Sequence, residues 1–110
     1  MIVRSVISSL VVSLMLASPL AAAPDEAAAL ALLNQSKCMS CHSVEKKKDG
    51  PAYKEVALKY KDDAEAEAKL IKHMTEPSKV KIDGEEEDHG IVKTRDMAKI
   101  KNLVAFILSR

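Results

Sequence analysis

The chain predicts an all-α domain of about four short helices, and three observations carry that prediction. After the first two dozen residues the apolar positions recur at helical spacing, and no run of any length alternates with the period of a strand. Aromatic residues are scarce, with Tyr53, Tyr60 and Phe106 the only three and no tryptophan. A core this poor in a domain this small calls for a disulfide, a metal or a prosthetic group to complete it.

Residues 1–23 predict a secretory signal peptide rather than part of the fold. Arg4 supplies the positive start, Val6 to Ala17 is apolar except for serines, and Ser18 to Ala23 offers small residues for cleavage after Ala22 or Ala23. The apolar run is shorter than the roughly twenty residues that a membrane-spanning helix needs. Residues 24–110 then form one domain destined for the periplasm.

The elements follow in order. Asp25 and Glu26 suit a helix N-terminus and precede an alanine- and leucine-rich stretch from Ala27 to Lys37. Asp49-Gly50-Pro51 marks a turn, and Pro51 opens a second helix from Ala52 to about Lys59, with Val56 and Tyr60 on one face. Asp62-Asp63 caps a third helix that runs to about Met74, its stripe made of Ala66, Leu70, Ile71 and Met74. Thr75 to Lys93 is polar, holds Pro77, Gly84 and Gly90, and reads as a long functional loop. A last helix, capped near Thr94 or Asp96, carries Met97, Ile100, Leu103, Val104, Ile107 and Leu108 at helical spacing.

Between the first two helices stands Cys38-Met39-Ser40-Cys41-His42. The pattern C-x-x-C-H is the one that attaches c-type haem: two thiols bond the porphyrin vinyl groups, and the adjoining histidine is placed to take an axial position on iron. A paired cysteine alone also serves redox sites and zinc sites. The redox motif belongs at a strand-to-helix junction, and a common zinc site needs a second close pair of ligands. This chain predicts no strands, has no third cysteine, and holds His73 and His89 sixteen residues apart. Covalent haem c is the reading that meets all of these conditions.

With those residues in view, the chain resembles the short bacterial class I cytochromes c, monohaem electron carriers of the periplasm. The likeness is carried by the helix entering Cys38 to His42, by Gly50-Pro51-Ala52-Tyr53-Lys54-Glu55-Val56-Ala57, and by the C-terminal helix around Phe106. It covers Ala27 to Met74 and the last fifteen residues, and lapses between them. It implies a cytochrome c-like fold packed around one covalently bound haem. It further implies His42 as proximal ligand, with its other ring nitrogen donating to the carbonyl of Pro51. Phe106 falls where the family places an aromatic at the crossing of the first and last helices; a plain core role predicts the same burial.

The family usually supplies a distal methionine from the loop before the last helix, and no methionine lies between Thr75 and Asp96. His89 is the favoured replacement: it stands 47 residues after His42 and 17 before Phe106, near the usual methionine position, and Gly90 beside it lets backbone approach a porphyrin face. Met97 is the runner-up and needs a shifted loop or a later helix start. Met74 fits as packing, Met39 lies on the proximal side, and His73 is expected to face water. Lys79, Lys81 or an open position complete the alternatives.

Setting Arg4 aside leaves basic and acidic side chains balanced at 16 each, so no global field selects nucleic acid or an anionic membrane. Lys46-Lys47-Lys48 and Glu85-Glu86-Glu87-Asp88 are the two local charge runs. The expected function is a periplasmic carrier of single electrons, not an enzyme. Its partners are periplasmic or membrane-bound redox proteins met transiently, with membrane contact only through them. Competing readings are a haem-based sensor or small-ligand-binding protein with an open distal site, or a small cytochrome subunit of a larger oxidoreductase.

Overall fold

The computed structural model describes residues 23–110; the expected signal peptide lies, apart from Ala23, outside the described residues. Four helices follow in order: α1 (Glu26–Gln35), α2 (Tyr53–Lys59), α3 (Ala66–Thr75) and α4 (Met97–Leu108), with a single 3-10 turn at Cys38–Ser40 after α1. None of the described helices is long and apolar enough to cross a membrane.

The helix ends show why these segments form. Asp25 accepts from the amide of Ala28 and starts α1 one residue earlier than the alanine run suggests. The helix stops at Gln35, two residues short of the expected Lys37. The Ser36 and Lys37 amides close back on Leu32 and Asn34, and Lys37 enters the left-handed region at φ 58°. α2 begins at Tyr53 because Ala52 is still extended. α3 starts three residues after Asp63, whose carboxylate accepts from the Glu65 amide inside an intervening turn. Asp96, one of the two caps expected for α4, accepts from the Ala98 amide.

A correction concerns the stretch from Thr75 to Lys93, expected as a long functional loop in a chain without strands. It contains a hairpin, β1 (Lys79–Ile82) and β2 (Glu85–Asp88), paired antiparallel with Lys79 opposite Asp88 and Lys81 opposite Glu86. Asp83 and Gly84 both have positive φ, as a two-residue Asp-Gly hairpin turn requires. The strands largely avoid the core, so burial never imposed an apolar alternation on both of them. The backbone ladder sets a basic strand against an acidic one, with Lys79 and Asp88 in contact at 2.6 Å.

The core lies where α4 crosses α1 and meets α2 and α3. Phe106, Leu33, Ile100, Leu103 and Val104 are its fully buried large side chains. Two details tie α1 to α4 at the rim. Asn102 bonds both the amide and the carbonyl of Asp25, at 2.8 and 2.9 Å, and Arg110 reaches Glu26 at 2.7 Å while its guanidinium lies over the Phe106 ring. Met97 departs from the apolar stripe expected of α4: it occupies the first helical position and is 45% exposed, because the first turn projects past the packing surface.

Candidate functional site

The site is built by the chain leaving α1. The 3-10 turn wraps on itself through amides of Cys41 and His42 bonded to the Cys38 carbonyl, leaving both cysteines as half-buried free thiols. The following loop then folds back on this turn. Gly50 donates to the Cys41 carbonyl at 2.7 Å, Lys48 Nζ to the Met39 carbonyl at 2.8 Å, and Tyr53 to the Ser43 carbonyl at 2.9 Å.

That fold-back clamps His42. Its Nδ1 lies 2.7 Å from the carbonyl oxygen of Pro51. A carbonyl only accepts, so Nδ1 carries the proton and Nε2 keeps a free lone pair for a metal. The Tyr53 ring stacks on the imidazole at 5.1 Å and 19°. Gly50 closes a third side: a Cβ there would lie 2.5 Å from His42 Cε1. Glycine is needed for space here, a role the sequence presented only as part of a turn.

The hairpin brings the second imidazole. Its register continues one step past the strands, where the His89 amide donates to the Ser78 carbonyl at 2.9 Å. Val92 then buries itself and donates to the Met74 carbonyl, and Lys93 donates to the buried Ser36 hydroxyl at 2.9 Å. So anchored, the His89 ring stands 6.2 Å from the His42 ring, at 68° to it. Two imidazoles on opposite sides of one metal, each with a metal–nitrogen bond of about 2 Å and roughly 1 Å more to the ring centre, are about 6 Å apart. His89 Nδ1 is buried with no protein partner, and such atoms are nearly always bonded to something. Burial, then the charges of His73 and His42, hold His89 below the usual imidazole range, which favours the neutral ligand form.

The other sequence candidates fall elsewhere. Met97 shares an open cleft with Thr75, Ile91, Val92, Thr94, Arg95 and Ile100, a set without His42 or either cysteine. Met74 is buried in the core, and Lys79 is occupied by Asp88. His73, expected to face water, is exposed as a residue, yet its ring contacts His89 with 3.9 Å between centroids. The overlooked signal was Asp83-Gly84: a two-residue turn there carries residue 89 back alongside the end of α3.

Two thiols, an imidazole fixed through Nδ1, and a second imidazole 6.2 Å from it fit a covalently held haem. A bare metal ion has no such support, since among the described residues no three His, Cys, Asp or Glu side chains form a group able to hold one.

Comparison with known proteins agrees. The family model described as Cytochrome c matches residues 26–110. Cytochrome c-551 of Allochromatium vinosum is 51% identical over 49 residues, covering 44% of this chain and 52% of that protein. The chain thus spans about half the length, or less, of the curated relatives it matches. Among solved structures, the class 1 cytochrome MtoD from Sideroxydans lithotrophicus ES-1 is 50% identical with a TM-score of 0.75, over 79% of this chain and 97% of that one. Nitrosomonas europaea cytochrome c552 is 29% identical with a TM-score of 0.58, over 73% and 96%.

Proposed function

We propose, from the premise that this chain belongs to the cytochrome c family, that it is a periplasmic monohaem carrier of single electrons with histidine on both sides of the iron. The family's cofactor is covalently bound haem c, and Cys38 and Cys41 fit its attachment motif. Bound there, the haem supplies an iron that cycles between ferrous and ferric states. The protein's own part is to hold that iron at a chosen potential, and no group on the chain is asked to perform substrate chemistry.

The 6.2 Å between the rings of His42 and His89 carries this reading. His42 is the proximal ligand, oriented by Pro51; His89 replaces the methionine that the family usually supplies. Imidazole in place of thioether lowers the reduction potential of a c-type haem. The alternatives are Met97 as ligand, or an open site serving a sensor. The ferric protein decides between them: a thioether-to-iron charge-transfer band in the near infrared supports Met97, and its absence supports His89. His89→Ala should open the site so that carbon monoxide binds the reduced protein rapidly, whereas the native protein resists it. Rapid binding by the native protein would overturn the carrier reading.

Partners are redox proteins met through a small, transient interface. Lys46 and Lys47 are exposed beside the attachment turn and suit acidic partners, while Lys48 is tied to Met39. Association rates should fall with added salt and with charge reversal at Lys46 and Lys47.

A further inference from the structure

We propose that His73 is a positioning residue for the distal imidazole, holding the His89 ring turned across the plane of His42. This rests on the reading of His89 as distal ligand, and it assigns the orientation of that ligand to a residue outside the iron's own coordination.

The two axial rings are held by very different means. His42 is fixed by the Pro51 carbonyl, the Tyr53 ring and the closeness of Gly50. His89 follows a two-stranded hairpin that stands largely in solvent, its backbone carries one bond to Ser78, and its Nδ1 has no protein partner. Within its own segment the Gly90 backbone bears on the ring, and across from it the His73 backbone does as well. What lies against it is His73, in the last turn of α3 and next in sequence to the buried Met74. The ring centres are 3.9 Å apart with the planes tilted 38°, closer than aromatic pairs usually approach. The side chain of a packed helix therefore sets the stop against which a loosely held ring rests.

The consequence is the 68° between the rings of His42 and His89. In low-spin ferric haem the planes of two axial imidazoles split the iron orbitals of π symmetry. Parallel rings split them widely and give an ordinary rhombic paramagnetic resonance signal. Crossed rings leave them nearly degenerate and give a strongly anisotropic signal with one large g value resolved. Such contacts to a metal's ligands tune the metal itself.

The test is the frozen-solution resonance spectrum of the ferric holoprotein. The native protein should show the strongly anisotropic signal. His73→Ala and His73→Leu, which remove the flat ring, should convert most of it to the rhombic form, and His73→Phe, which restores a ring, should keep the native signal. Should Ala fail to yield holoprotein, Leu reads the same loss. A rhombic native signal, unaltered Ala and Leu spectra, or a Phe variant that behaves like Leu each overturns the proposal. His89→Ala serves as the separate arm. If it leaves the visible and near-infrared spectra unchanged, it is the assignment of His89 that has failed; if it changes them while the His73 variants do not, only the positioning role has.

Discussion

Gly50→Ala concentrates several contacts into one measurement. A Cβ built on Gly50 lies 2.5 Å from Cε1, 2.8 Å from Nδ1 and 3.0 Å from Nε2 of His42. Carbon atoms in contact prefer about 3.5–4.0 Å, so the imidazole must retreat by about 1 Å. It cannot do so and keep both the 2.7 Å bond to the Pro51 carbonyl and the 5.1 Å stack on Tyr53. Overpacking of this kind costs about 1–3 kcal/mol, and the lost hydrogen bond adds about 0.5–1.5 kcal/mol. In a domain of this length each kcal/mol moves the melting temperature by about 4–8 °C, so a fall of about 6 °C or more is expected. Thermal melts of the ferric holoprotein, followed by helix content and by the haem absorption, measure it. A Gly50→Ala protein melting within about 2 °C of native, with unchanged haem absorption, would refute the geometry given for His42.

Three further outcomes follow from the packing. Phe106→Ala removes a fully buried ring from the core and should cost about 3–5 kcal/mol in chemical denaturation; a loss under 1 kcal/mol would show that the core does not depend on it. Asn102→Ala removes both bonds to the Asp25 backbone, and since Asp25 is exposed and water replaces part of them, about 1–2 kcal/mol is expected from the same titration. Tyr53 titrates well above its ordinary range, first because it is buried and second through the charge of Cys38. A raised native value means that the folded state keeps its proton while the unfolded state loses it. This contribution is therefore intact below about pH 10 and is lost as pH climbs above it. Haem attachment removes the Cys38 charge and leaves burial, so stability of the holoprotein should decline above about pH 10, and less steeply in Tyr53→Phe. Equal slopes for the two proteins would contradict this.

What the sequence by itself determined is what depends on residues near one another in the chain. Cys38 to His42 are contiguous, so the attachment motif and the candidate proximal ligand are legible at once. α1 and α4 follow from caps and apolar spacing within a dozen residues. The resemblance supplied the Pro51 contact with His42 and singled out His89 through a missing methionine. What only the tertiary structure decided lies between residues brought together by folding. The β1–β2 hairpin went unseen because its strands lie largely outside the core, so no two-residue apolar period marks the acidic one. The His73–His89 contact had no signature, and Gly50 showed only as part of a turn: the first arises because a turn at Asp83-Gly84 returns the chain to the end of α3, the closeness of Gly50 to His42 because a loop closes on an imidazole eight residues upstream. Met97 has the right spacing for the core yet sits on the turn of α4 that overshoots it. Periodicity records which side of a helix is apolar, whereas where that helix begins relative to its neighbours is set by the packing of the whole.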